Sequence, residues 1–283
     1  MIQPALADDA FLNDVAAAGR DEPDALHLWW LGQSGFLVQW QGRHLLLDPY
    51  LSDALTAKYA QTDKPHVRLS ARVVAPERLD FIDVVTSSHT HTDHMDAETL
   101  GPILQASPNA TLVIPEANRD FVAERLHLPD PSLPVGMDDS TTITLGGITL
   151  IGVPAAHETI ERDNAGRCRF LGYVAQLGPW TIYHSGDTIL YENMAELLRP
   201  FNVDIALLPI NGRAPERRVA GNLDGRAAAQ LAHAIGAGLV IPCHYDLFAF
   251  NTADPADAFM PECERLGQPY RVLRLGERRT GRK

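Results

Sequence analysis

"TSSHTHTDHMD", residues 86–96, crowds His89, His91, Asp93 and His94 into six positions. It follows "FIDVVTSS" (81–88), a β-branched run that reads as a buried strand, and it precedes a helical stretch at 96–105. In extended backbone, residues two apart point the same way, so His89 and His91 are expected to reach one point. Asp93 and His94, where the chain turns into the helix, are expected to reach a second point nearby. A solvated polar turn is the alternative, and four metal-capable side chains directly after a buried strand argue against it. Two cations about 3.5–4 Å apart would use such a split set.

A metal centre needs further ligands from a distance. His157 in "GVPAAHET" follows an apolar strand at 148–153. Asp187 in "YHSGDT" follows one at 180–184, and His244 in "VIPCHYD" ends one at 238–244. Each is the polar punctuation after a strand, so all are expected on one edge of the sheets. A carboxylate can bridge two cations whereas a neutral imidazole binds one, which makes Asp187 the expected bridge. His89, His91 and His157 are assigned to one cation, and Asp93, His94 and His244 to the other. Open positions left for water mark a catalytic rather than a structural site. Asp48, closing "HLLLD" before Pro49, reads either as a strand-end turn or as the carboxylate behind a ligand histidine, which usually donates its other N–H. Cys243, beside His244, is expected to be a small buried hydrophobe rather than a nucleophile.

The chain has 283 residues, 45% hydrophobic and 21% charged, with a formal net charge of −12. That acidity disfavours nucleic acid, whose binders present basic patches to phosphate, and disfavours an anionic membrane surface. Cys168, Cys243 and Cys263 are widely spaced and form no disulfide framework, so a reducing, cytoplasmic setting is expected. The start lacks a basic segment followed by an apolar run and does not read as a signal peptide.

The apolar pattern predicts a helix at 8–19, a hairpin around Gly32–Gly35, a strand at 43–51, and a loop or lid at 52–80. A strand at 111–115 and a helix at 116–127 lead to a Pro-rich turn at 129–134. Strands follow at 141–145, 148–153, 169–177 and 180–184, then a helix at 190–199 and a strand at 203–210. A helix at 223–236, a strand at 238–244, a helix at 255–266 and a strand at 270–275 complete the reading. Two mixed sheets face to face with helices outside, a four-layer αβ/βα sandwich, fit that order. One domain over 1–283 is expected, with a core at 27–275 and an N-terminal extension at 1–22.

His-x-His-x-Asp-His followed by single His, Asp and His, each after a strand, resembles the metallo-β-lactamase superfamily. Within it, "LWWLGQSG" (28–35), "IDVVTSSHTHTDHMD" (82–96), "IYHSGDT" (182–188) and "VIPCHYDLFAFNTADP" (240–255) are similar to the L-ascorbate-6-phosphate lactonase branch. The chain departs from that branch's pattern at His157 and Tyr245. The resemblance implies one or two divalent ions, manganese in that branch and zinc in much of the superfamily. The expected activity is hydrolysis of a small, anionic ester or lactone by a metal-bound hydroxide. Asp93, His94 and Asp187 are the expected catalytic residues, with Asp93 orienting the water. Arg213, Arg217 and Arg218 in "NGRAPERRVAGN" are candidate substrate anchors, because Arg forks match phosphate and carboxylate. Tyr245 is a further candidate, and Lys58, Arg68 and Arg72 are weaker ones. Competing expectations are a phosphodiesterase or nuclease on the same fold, and a non-catalytic metal-binding or redox di-iron module. The homo-oligomeric state stays open.

Overall fold

The computed structural model describes residues 1–283. After helix α1 (Asp8–Asp21), the first sheet is built from β1 (Leu26–Gly32), β2 (Gly35–Trp40), β3 (Arg43–Leu47), β4 (Val84–Thr86), β5 (Thr111–Pro115) and β6 (Val135–Met137). The second contains β7 (Thr142–Leu145), β8 (Ile148–Pro154), β9 (Leu171–Leu177), β10 (Trp180–His184), β11 (Ile205–Pro209) and β12 (Leu239–Cys243). A last strand, β13 (Arg278–Gly281), returns to the first sheet, giving the order β13-β1-β2-β3-β4-β5-β6 beside β12-β11-β10-β9-β8-β7. Each sheet is part antiparallel and part parallel. The other helices are α2 (Ala54–Tyr59), α3 (Ala97–Ala106), α4 (Arg119–Arg125), α5 (Met194–Leu198), α6 (Gly225–Ala234) and α7 (Phe259–Leu266). This is the four-layer sandwich expected from the sequence.

The central strands are buried on both faces, which is why they read as continuous apolar runs rather than alternating ones. All seven residues of β1 are buried. Trp29 and Trp30 point to opposite faces, as period two requires, yet neither meets solvent. Trp29 packs edge-on against Phe11 of α1 and donates its N–H to Asp14, 2.9 Å away. The N-terminal helix therefore covers the outer face of the first sheet and joins the main core. On the far side, α6 and α7 pack together over the second sheet, through Ala228, Ala229 and Phe259. No helix is long and apolar enough to cross a membrane.

Several elements differ from the sequence reading. The strand expected at 270–275 is a crossing segment. It makes one bridge, Tyr270 to Val240, at the edge of the second sheet, then passes to the first. Leu273 and Leu275 are buried in that crossing, so their apolar character reflects packing without a ladder. The helix expected at 116–127 is a 3-10 turn, Glu116–Asn118, followed by the shorter α4. The helices expected at 190–199 and 255–266 shrink to α5 and α7. Asn193, with φ +63°, interrupts the first, and 255–258 are turns. Strand β6 follows the Pro-rich turn and is too short to announce itself. The 52–80 segment holds α2 and a 3-10 turn at Pro76–Arg78.

Replacing Trp29 by Ala is expected to cost about 3–5 kcal/mol, the range for a large buried aromatic, read from urea unfolding. Trp29→Phe should recover most of that loss.

Candidate metal centre

Residues 87–95 do not continue β4 as extended chain. They fold as bends and turns, with the His94 and Met95 amides both donating to the His91 carbonyl, at 3.0 and 2.7 Å. The expected two-residue alternation is therefore not what brings the imidazoles together; the turn does. Asp96 then caps α3 by accepting from the Glu98 amide. The second sheet grips this loop from the side. The Leu171 amide donates to the Ser88 carbonyl at 3.0 Å, and the Tyr173 hydroxyl to the Ser87 carbonyl at 3.0 Å. Gly186 sits against Ser88 with φ +59°, and a Cβ there would lie 2.8 Å from Ser88 Cβ. Only glycine lets Asp187 approach so closely.

The remaining candidates arrive from strand ends: His157 after β8, Asp187 after β10, His244 after β12. All seven side chains converge. His89, His91 and His157 present nitrogens within 4.8 Å of one another; so do the ligand atoms of His89, His94 and Asp187, and those of Asp93, His94 and His244. Asp187 stands between the groups. Its Oδ1 is 3.3 Å from His94 Nε2, and its Oδ2 is 3.6 Å from His157 Nε2 and 3.2 Å from His244 Nε2. The assignments made from sequence thus describe neighbouring atoms.

Three of the ring nitrogens facing away from the centre are held, while His244 Nδ1 has no partner. His94 Nδ1 donates to Asp48 Oδ2 at 2.7 Å, His157 Nδ1 to the Gly221 carbonyl at 2.8 Å, and His89 Nδ1 lies 3.0 Å from Ser88 Oγ. Fixing one nitrogen leaves Nε2 as the inward lone pair. Asp48 is fully buried and also accepts from Thr86 Oγ1, the Ser88 amide and Ser88 Oγ. Of its two readings, the carboxylate behind a histidine is the one its contacts match. His89 Nε2, His94 Nε2 and Asp187 Oδ1 are buried with no aligned hydrogen bond. Buried polar atoms are rarely left so, and this donor set, five imidazoles and two carboxylates, fits divalent metal.

Electrostatics divides the imidazoles. Burial pushes His89 well below its ordinary value, helped by His94 and His91, and lowers His91 against the pull of Asp93. Burial acts likewise on His94 and His244, but Asp187 and Asp93 overcome it. His94 is raised well above its ordinary value and His244 to about 9. Burial would raise Asp93 and Asp187, yet His94 and His244 hold both below the usual carboxylate range.

A cavity of about 420 Å³ opens over the centre. Lys58, Arg125 and Arg218 line it with aromatic Tyr59, His66 and Phe248. Of the three candidate arginines in 211–222, only Arg218 reaches it, paired with Asp63 at 2.9 Å. Arg213 turns to Glu158 and Arg217 to the Asn211 carbonyl, so neither faces the centre. Tyr245 is also displaced: it is buried, stacked on Trp30 at 4.6 Å, and donates its hydroxyl to the Leu273 carbonyl. Arg68 is held by the Ser52 and Ser70 carbonyls, and Arg72 does not line the cavity. Sequence reasoning missed Gln33, whose amide reaches Asp93, and missed His66 and Arg125. A polar residue within "GQSG" was the one available signal for Gln33.

Residues 43–245 match the family described as the β-lactamase superfamily domain. A UPF0173 metal-dependent hydrolase of Methanoregula boonei is 31% identical over 244 residues, covering 85% of this chain and 90% of that protein. Among solved structures, a possible metal-dependent hydrolase of Veillonella parvula superposes with a TM-score of 0.71 at 15% identity, covering 90% of this chain and 99% of the other. Igni18, a metallo hydrolase of Ignicoccus hospitalis, does so at 0.66 and 21% identity, covering 92% and 99%. At those identities the two structures speak to the fold.

A cation must displace the proton that a pKa raised to about 9 keeps on His244 at pH 7. Uptake is expected to release protons, with affinity climbing from about pH 6.5 toward 9 as His244 deprotonates. Titration calorimetry in buffers of different ionisation enthalpy measures this. In metal-free protein the raised value of His244 stabilises the fold below about pH 6.5, a contribution lost as pH rises through about 9. Asp48→Asn is expected to weaken metal binding about 10–100-fold in the same titration.

Proposed function

The chain belongs to the metallo-β-lactamase superfamily, and from that premise we propose that it is a metal-dependent hydrolase of a small anionic ester or lactone. The observation that carries this reading is the convergence of His89 Nε2, His94 Nε2 and Asp187 Oδ1, buried and without aligned partners, beneath an open cavity. His89, His91 and His157 would hold one cation, Asp93, His94 and His244 a second, with Asp187 shared. When bound, such cations lower the pKa of water from about 15.7 to about 7 and polarise a carbonyl or phosphoryl oxygen.

The protein's own groups do the rest. Asp93 faces the cavity and stays ionised, so it accepts a hydrogen bond from water and orients it. Its low pKa makes it a poor general base at neutral pH. Leu55, Phe248 and Phe250 wall off solvent on one side. Lys58, Arg125 and Arg218 give the cavity a cationic lining in a chain of net charge −12. Asp93 and Asp187 lie on the same lining, so it is the three cations together with bound metal that would favour an anionic substrate over a neutral one. The lactone form of the substrate is the part of the reading drawn from the lactonase-like stretches.

The test is a panel of lactones, phosphoesters and β-lactams with the wild type, His89→Ala and Asp187→Ala, alongside elemental analysis. Both variants are expected to lose metal and turnover together; a metal-free variant with full activity would remove the reading. Arg218→Ala is expected to raise KM for an anionic substrate about fivefold, the scale of an exposed ionic contact, with kcat unchanged.

A further inference from the structure

The turn between β1 and β2 reads from sequence as a plain hairpin, yet it enters the metal centre. Gln33 at its tip is buried and holds a left-handed backbone, φ +49°. That conformation is uncommon for a residue with a Cβ and persists where surroundings enforce it, often at ligand sites. Here the enforcement is visible. The Gln33 carbonyl accepts from the His244 amide at 2.9 Å and from Trp30 Nε1 at 3.0 Å. His244 is itself left-handed, φ +61°. The two turns lock together and aim the Gln33 side chain at one place.

That place is the second cation's corner. Gln33 Nε2 lies 2.7 Å from Asp93 Oδ2 and 3.1 Å from His244 Nε2. Asp93 and His244 belong to the Asp93, His94 and His244 group of ligand atoms. The other end of the amide, Oε1, is buried with no hydrogen-bond partner. An amide N–H and a cation compete for the same lone pair of Asp93 Oδ2, so this amide orientation opposes metal. Rotation by half a turn about the last side-chain torsion exchanges N and O, which are nearly equal in size. It leaves the backbone, Asp93 and His244 where they are. We propose that Gln33 is a ligand of the second cation, offering its amide oxygen by that rotation. The inference rests on the two-cation reading above. A neutral carbonyl oxygen suits a hard ion such as Mn²⁺, and it joins a corner otherwise made of two imidazoles, Asp93 and the shared Asp187.

Calorimetric titration of metal-free protein with Mn²⁺, with bound metal counted by elemental analysis and folding followed by circular dichroism, tests this. Wild type is expected to take two equivalents. Gln33→Leu is expected to keep the first and to weaken the second at least about tenfold. Gln33→Glu preserves shape and supplies a charged oxygen, so it should bind the second equivalent more tightly than wild type. A residue that only braces Asp93 by hydrogen bonding predicts the reverse, because the introduced carboxylate would repel Asp93. A second equivalent weakened by Gln33→Glu, or unaffected by Gln33→Leu, overturns the proposal and leaves the hydrolase reading standing. Wild type that saturates at one equivalent overturns both this inference and the two-cation centre. Should Gln33→Leu fail to fold, the Gln33→Glu titration decides alone.

Discussion

A carboxylate sealed from water must find donors or give up its charge, and Asp48 finds them all between the end of β4 and the turn that follows it. Thr86, Ser88 and His94 each bond to it. Burial alone would raise its pKa; His94, with His184 and Ser88, brings it below the ordinary value instead. This one buried charge fixes where β4 ends, which way the following turn runs, and which nitrogen of His94 is left for the centre. From there Asp187 is reached, and through Asp187 the strand ends of the second sheet. Removing a buried ion's partner costs more than the pair contributes, so the loop has little freedom to rearrange around Asp48. The candidate metal ligands inherit that rigidity.

The cavity above is assembled differently. Its walls come from 52–80, 211–222 and 245–251, stretches far apart in the chain. They are stitched by backbone bonds, Leu69 to the Leu247 carbonyl at 2.8 Å and Ala249 to the Val67 carbonyl at 3.0 Å, and by the exposed pair Arg218–Asp63. The candidate ligands thus stand on the 87–95 turn and on strand ends within the core, while the cations lining the cavity stand on short helices and the 211–222 loop. Such a division lets specificity change without disturbing the chemistry.

Much of this was legible in the sequence, because strand ends and metal ligands both leave local marks. Five His and two Asp residues that punctuate apolar runs could be read as one edge, and the apolar runs themselves marked out the two sheets. The arginines and Tyr245 show where that logic stops. Arg213 and Arg217 share a loop with Arg218, yet Glu158 and the Asn211 carbonyl capture them, and no local pattern encodes which partner lies nearest. Tyr245 adjoins a ligand but points inward onto Trp30, since His244 turns left-handed and the next side chain falls on the core side. Gln33 was hidden because a turn tip is normally solvent-facing. The 270–275 strand failed because apolar residues that cross between sheets look like residues within one.

The pairing of β1 with β13 has a consequence for how the molecule comes together. His27 and Thr280 meet across 253 positions of sequence. Until that late segment emerges from the ribosome, β1 has a bare edge carrying two tryptophans, the kind of surface that recruits other nascent chains. Closing so large a span is entropically slow. Helix α1, which precedes β1 in the chain and packs on Trp29, is the element placed to cover that hairpin before β13 arrives.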